Sequence, residues 1–131
     1  MEKVLIADDL FAVRRMIKGI FMSLDNSIKV IETDNADVAV DLYIAIKPDL
    51  AIMDIRVGNT DGIQACEKIM KHDKDARVLV VTSYNDEEMV RKCRQLGVKG
   101  IIVKPFTREY FLSVLSKING SQSNGCYIQY S

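Results

Sequence analysis

The chain has 131 residues, the size of a single domain, and its 18 Lys and Arg residues are balanced by 18 Asp and Glu residues. The zero net charge argues against a broad basic surface for nucleic acid, and no apolar run approaches the roughly 18 residues that span a bilayer. The three cysteines have spacings that match no zinc or Cys-x-x-Cys site, so we expect a reduced, cytoplasmic protein without disulfides.

Short, mostly apolar runs recur along the chain and predict five β-strands. These runs are residues 4–7, 28–31, 50–53, 78–81 and 100–103. Four of them are continuously apolar, which is typical of parallel strands covered on both faces. The second run is interrupted by Lys29 and ends at Glu32, which predicts a strand near a sheet edge.

Stretches with apolar residues at helical spacing follow the strands and predict five helices. The predicted helices begin after Asp9, after Asp34 or Asn35, after Asp61, after Asn85 or Asp86, and after Thr107. A strand–helix unit repeated five times with right-handed crossovers gives a doubly wound α/β domain, in which helices cover both faces of a five-stranded parallel sheet.

The last residues break this pattern. Residues 119–131 are polar and rich in Gly, Ser and Asn, which predicts a tail or the stub of a linker. The folded domain is therefore expected to occupy residues 1–118.

Chemically active side chains follow four of the five predicted strands. They are Asp8 and Asp9 after the first, Asp54 after the third, Thr82 and Ser83 at the end of the fourth, and Lys104 after the fifth. In open parallel sheets, ligands bind beyond the carboxyl ends of the strands, so these groups are expected on one rim. Oxygen ligands without His or Cys indicate a hard cation, and Mg²⁺ prefers one or two carboxylates with waters and phosphate oxygens.

A carboxylate beside such a cation can act as a nucleophile toward phosphorus and form an aspartyl phosphate. The transition state needs its equatorial oxygens neutralised by the metal, a lysine and hydrogen-bond donors. Asp54, a Mg²⁺ ion held by Asp8 and Asp9, Lys104 and Thr82 supply that set.

These motifs together resemble the response-regulator receiver domain of two-component signal transduction, in particular chemotaxis receivers. The motifs are the pair Asp8-Asp9, the segment 52–56 followed by Asp61-Gly62, the strand end 81–83 and the segment 103–106. The resemblance spans residues 3 to 118. It implies a flavodoxin-like (βα)5 fold with strand order 2-1-3-4-5.

The resemblance implies a role for each acidic residue of the rim. Asp54 is the expected phosphoacceptor. Asp8 and Asp9 are expected to organise Mg²⁺, directly or through water, with Asp54 and the backbone carbonyl of Arg56 completing the metal site.

The resemblance also implies roles for the residues beside the acidic cluster. Lys104 is expected to contact the phosphoryl group, and Thr82 is expected to move and hydrogen-bond it. The Lys104–Pro105 peptide bond is expected to be cis, a rare form that marks tight functional turns.

Three features depart from the family pattern. The loop at residues 57–60 lacks the usual proline, and Ile101 stands where the family has a rotating aromatic ring, so coupling is expected to rely on Thr82 and Tyr84. Arg56 and Tyr84 occupy the two positions that in this family modulate attack of water on the phosphoryl group. Both side chains are bulky, and we expect them to shield the acyl phosphate and slow its loss.

The implied function is a phosphorelay switch that catalyses only its own phosphorylation and dephosphorylation. A sensor histidine kinase or a histidine phosphotransfer protein would donate the phosphoryl group, and the output would be a changed docking face on the fourth helix, fifth strand and fifth helix. A homodimer through that face is an open alternative. The domain alone is expected to bind neither nucleic acid nor membrane.

Three rival interpretations are open at this point. The chain is the receiver of a larger DNA-binding or enzymatic regulator, with residues 119–131 as a linker. Alternatively, it is a phosphatase with an aspartyl nucleophile, although those enzymes have Asp-x-Asp after the first strand and here the two acids are adjacent. A degenerate receiver acting as a constitutive binding module would have lost Asp54, Lys104 or the acidic pair, and the sequence retains them all.

Overall fold

Strands and helices alternate along the chain in this computed structural model, which describes residues 1–57, 60–83, 87–119 and 127–129. In chain order the elements are β1 (Lys3–Ala7), α1 (Phe11–Leu24), β2 (Lys29–Thr33), α2 (Ala36–Ile46), β3 (Leu50–Met53), α3 (Gly62–His72), β4 (Val78–Thr82), α4 (Glu87–Leu96), β5 (Gly100–Val103), α5 (Arg108–Asn119) and β6 (Tyr127–Gln129). A short antiparallel hairpin, Arg56–Val57 with Thr60–Asp61, lies between β3 and α3. Among the helices of the described ranges, none has the length and hydropathy that a membrane crossing requires.

The five predicted strands form one parallel sheet in the order β2-β1-β3-β4-β5, which confirms the predicted fold and strand order. Because all five strands run in the same direction, their carboxyl ends meet at one edge of the sheet. β2 lies at one side of the sheet and is half-buried, as its interrupted pattern predicts.

A sixth strand extends the sheet beyond β5. Residues Tyr127–Gln129 pair with β5 in parallel, and they lie inside the segment predicted as a polar tail. These residues carry no strand signal, because three residues are too few to show a period and polar residues surround them. α5 also runs through Asn119, one residue beyond the predicted boundary.

The sheet separates two apolar layers, which explains why its strands are continuously apolar. Successive strand side chains point to opposite faces, so Leu5 and Ala7 pack with α2, α3 and α4, whereas Val4 and Ile6 pack with α1 and α5. In the second layer the rings of Phe21 and Phe111 meet edge to face, with centroids 5.8 Å apart.

Polar side chains cap α2, α3 and α5 where the sequence predicts these helices to begin, whereas α1 begins after Leu10 without a side-chain cap. Asn35 accepts a hydrogen bond from the Val38 N–H at the start of α2, and Asp61 accepts from Ile63 and Gln64 at the start of α3. The Thr107 hydroxyl caps α5 by accepting from the Tyr110 N–H. The predicted caps of α4, Asn85 and Asp86, lie outside the described residues.

Gly62 allows α3 to begin directly against the end of β3. Its N–H donates to the carbonyl of Ile55 at 2.6 Å, and a Cβ atom at this position would overlap the carbonyl oxygens of both Asp54 and Ile55. The absence of a side chain therefore lets the first turn of α3 approach the backbone that carries Asp54.

We expect Gly62→Ala to lower the free energy of unfolding by about 1–3 kcal/mol, because backbone must shift to admit the methyl group. Gly19→Ala is the matched control, since nothing lies within 4 Å of a Cβ at this exposed position in α1. That change should raise stability by about 0.5–1 kcal/mol. Urea unfolding of both variants measures the difference, and equal effects would contradict the close approach at Gly62.

Candidate functional site

The polar side chains that follow β1, β3 and β4 are buried at the carboxyl edge of the sheet. Asp8 is 2% exposed, Asp54 is 6% exposed and Thr82 is 0% exposed. Within the described ranges these three are the polar or charged residues in the buried class. Burying such groups costs free energy unless they are paired, so their collection at one place indicates a site.

Lys104 joins the two buried aspartates. Its Nζ atom lies 2.7 Å from Oδ2 of Asp8 and 2.8 Å from Oδ2 of Asp54, and its side chain is 9% exposed. β5 positions this lysine, and the Lys104 N–H donates to the carbonyl of Thr82 at 2.8 Å. One ammonium group therefore serves two carboxylates that come from different strands.

Each aspartate divides its two oxygens between the backbone and the lysine. Oδ1 of Asp8 accepts from the Leu10 N–H at 2.9 Å, and Oδ1 of Asp54 accepts from the Arg56 N–H at 3.1 Å. Both Oδ2 atoms face Lys104. The backbone thus fixes the orientation of each carboxylate, because neither can rotate without losing a hydrogen bond.

Burial and pairing shift the pKa values of this cluster. Burial raises the pKa of Asp8, although hydrogen bonds from Lys104 and Leu10 oppose that shift. For Lys104, burial disfavours the charge, but the hydrogen bonds to Asp54 and Asp8 outweigh it and raise its pKa. The lysine consequently stays protonated at neutral pH.

Asp8, Asp9 and Asp54 form a cluster that suits a divalent cation. Each offers a carboxylate oxygen, and these oxygens lie within 4.8 Å of one another. Asp9 is exposed, so the cluster opens to solvent on that side. With the ammonium of Lys104, three carboxylates leave two unbalanced negative charges, and an all-oxygen set fits Mg²⁺.

The structure describes some of the remaining predicted site residues. Arg56 is exposed beside Asp54, and Ile101 is buried in the layer under α2, α3 and α4. The Lys104–Pro105 bond is cis, as the resemblance predicts. Tyr84 lies outside the described residues, and so do positions 58 and 59 of the loop without proline.

Sequence reasoning missed Arg14, which fixes the backbone at the end of β1. Its Nη1 donates to the carbonyl of Asp8 at 2.6 Å, and its Nε pairs with Glu32 at 3.2 Å. An arginine on a helix has no motif that marks this contact, because the contact depends on how α1 crosses the ends of β1 and β2.

Sequence reasoning also missed an apolar cavity beside Lys104. The cavity has a volume of about 360 Å³. It is lined by Leu10, Val13, Met16, Ser83, Lys104, Pro105 and Phe106. α1 and the segment after β5 therefore leave an apolar surface next to the charged cluster.

Comparison with known proteins agrees with the geometry. The family model for the response regulator receiver domain matches residues 4–116. The chemotaxis protein CheY of Listeria monocytogenes is 37% identical over 117 residues, covering 89% of this chain and 98% of the relative. CheY of Bacillus subtilis is 36% identical over 117 residues, covering 88% and 96%.

A solved structure shows the same fold. The complex of CheX, CheY, BeF3 and Mg from Borrelia burgdorferi matches with a TM-score of 0.84 and 30% identity. The match covers 92% of this chain and 90% of that chain. That complex contains BeF3 and Mg²⁺.

We expect Mg²⁺ to raise the melting temperature of the protein, because a ligand that binds the folded state stabilises it. Asp9→Asn should weaken Mg²⁺ binding by more than about tenfold, the loss that even outer-shell changes to metal sites produce. Thermal unfolding at increasing MgCl2, with NaCl at matched ionic strength, measures both effects.

Asp41→Asn is the control for this experiment, since Asp41 is an exposed acid on α2 outside the cluster. Its response to Mg²⁺ should equal that of the wild type. An equal response from Asp9→Asn would contradict the metal site.

Proposed function

The chain belongs to the response regulator receiver family, and on that premise we propose that it is a phosphoacceptor switch whose acceptor is Asp54. Receiver domains of this type are typically signalling switches and not enzymes acting on a separate substrate. The observation that supports Asp54 is its position: it is a buried carboxylate that contacts Lys104 and has an oxygen within 4.8 Å of oxygens of Asp8 and Asp9. Asp8 and Asp9 are proposed to bind the cation, directly or through water, and the backbone carbonyl of Arg56 is proposed to complete its ligands.

In the proposed reaction, an oxygen of Asp54 forms a bond to phosphorus as the bond between phosphorus and a histidine nitrogen breaks. The departing imidazole keeps the electron pair. Bound Mg²⁺ would neutralise the phosphoryl oxygens, which is the chemistry such an ion supplies to phosphoryl transfer. Asp54 is held in place by the Arg56 N–H, so little reorientation precedes attack.

Lys104 is suited to change partners during this step. Before transfer, its ammonium lies 2.8 Å from Asp54 and 2.7 Å from Asp8. Once Asp54 carries the phosphoryl group, its carboxyl oxygen loses its charge and the new charge of about −2 lies on the phosphoryl oxygens. The ammonium can follow that charge while it keeps its contact with Asp8.

Thr82 is proposed to carry the change to the output face. It is fully buried at the end of β4, and its carbonyl accepts a hydrogen bond from the Lys104 N–H. A movement of its hydroxyl toward the phosphoryl group would alter contacts between β4, α4 and β5. Ile101 has no ring to rotate, so we assign the coupling to Thr82 and to Tyr84.

The proposed phosphodonor is a sensor histidine kinase or a histidine phosphotransfer protein, and the proposed setting is the cytoplasm. The donor must bring its phosphohistidine to the open side of the cluster, where Asp9 is exposed. The proposed output surface is α4, β5 and α5, on which an effector or a second copy would dock.

We expect acetyl phosphate with Mg²⁺ to add one phosphoryl group to the wild type and none to Asp54→Asn. Asp75→Asn is the control, because Asp75 is exposed and outside the cluster, and it should be modified like the wild type. Intact mass spectrometry measures the addition. A label that survives hydroxylamine, or that persists in Asp54→Asn, would contradict the assignment of Asp54.

Arg56 and Tyr84 are proposed to slow loss of the phosphoryl group by shielding it from water. Arg56→Ala should then accelerate dephosphorylation by roughly three- to tenfold, which corresponds to about 1 kcal/mol in the barrier. Arg15→Ala, which removes an exposed arginine from α1, should leave the rate unchanged. Decay of the phosphorylated species by mass spectrometry decides this, and equal rates for both variants would refute the shielding.

A further inference from the structure

The sheet would end at β5 if residues 127–129 did not pair with it. In the described structure, Gly100 pairs with Tyr127, Ile101 with Ile128 and Ile102 with Gln129, all in parallel. An uncovered strand presents a row of unpaired N–H and C=O groups, which is a template for pairing with another segment. The outer edge of β5 is therefore a place where a strand can bind, and the chain itself fills it.

The direction of the backbone groups along β5 is fixed by its other neighbour. The Lys104 N–H donates to Thr82 on β4, and backbone groups alternate in direction along a strand. Ile102 therefore points its N–H toward β4, whereas Ile101 and Val103 point theirs toward the outer edge. The amides of Ile101 and Val103 thus depend on β6 for hydrogen-bond partners, whereas the amide of Ile102 does not.

The pairing of β6 with β5 is weak enough to be reversible. Three paired residues make few hydrogen bonds, each worth about 0.5–1.5 kcal/mol net. Tethering through α5 raises the effective concentration to roughly the millimolar range, which favours occupancy without locking it. The segment also contacts α5, so it covers the part of the proposed output face where β5 and α5 meet.

We propose that the outer edge of β5 is a strand-addition site whose built-in occupant is residues 127–129. The occupant keeps this edge closed and must detach before an extended segment of a partner can pair with Gly100–Ile102. The pairing rests on the observed register, and only the description of the edge as part of an output face rests on the proposed function.

The register also selects a substitution that opens the edge. In a parallel pair, a residue bonds to the two residues that flank its partner, so Ile101 faces the backbone groups of Tyr127 and Gln129. Gln129→Pro removes the N–H that faces β5. Gln129→Ala changes the side chain but retains that N–H, and it is the matched control.

Amide hydrogen exchange on the full chain, at concentrations where it is monomeric, tests the proposal. In Gln129→Pro, the amides of Ile101 and Val103 should exchange at least about tenfold faster, because they lose their hydrogen-bond acceptors on β6. Ile102 should keep its rate, which separates opening of the edge from global unfolding. All three amides in Gln129→Ala should remain within about twofold of the wild type.

A peptide with the sequence of residues 127–131, added at millimolar concentration, should restore the protection of Ile101 and Val103 in Gln129→Pro. The wild type, whose edge is filled, should not respond. Unchanged exchange at Ile101 and Val103 in Gln129→Pro, or no protection by the peptide, would overturn the proposal.

Phosphorylation of the same samples by acetyl phosphate separates this outcome from that of the proposed function. Gln129→Pro should be phosphorylated like the wild type, since residue 129 is remote from the acidic cluster in the sheet register. A chain that exchanges as expected but takes no phosphoryl group would refute the proposed function and leave the strand-addition site standing.

Discussion

The ammonium of Lys104 is the charge on which the site depends. It contacts one carboxylate from the end of β1 and another from the end of β3, both of them nearly inaccessible to water. Without that cation, two desolvated carboxylates would repel each other, and the pKa of Asp8, which burial already raises, would lose the opposing effect of the lysine. With it, the cluster keeps the negative charge that a divalent metal can use.

The common direction of the parallel strands, and not the strength of any single contact, brings these groups together. Asp8 and Asp54 are 46 positions apart in the sequence, and Asp54 and Lys104 are 50 positions apart. They become neighbours because parallel strands place their carboxyl ends together. Gly62 lets α3 start against the backbone of Asp54, and Arg14 fixes the backbone of Asp8. The supporting backbone contacts take one oxygen of each buried acid, so the other oxygen of each faces Lys104.

The sequence predicts most of this because the strands are long apolar runs and the active groups follow them directly. The strand order, the caps at Asn35, Asp61 and Thr107, and the meeting of the acids all appear in the structure. Contacts that depend on how helices cross strand ends were not predictable. The salt bridge of Arg14 with Glu32 belongs to this group. β6 was not predictable for a different reason, because its three residues are too few to show a periodic signal.

The sheet divides the hydrophobic interior into two compartments that share no side chains. Phe21 and Phe111 pack on one side, whereas Ile69 and Cys66 pack on the other. Changes in volume within one compartment are therefore absorbed locally, since the rigid backbone of the sheet stands between them. A side chain in the layer under α1 and α5 can thus change in size without a compensating change in the layer under α2, α3 and α4.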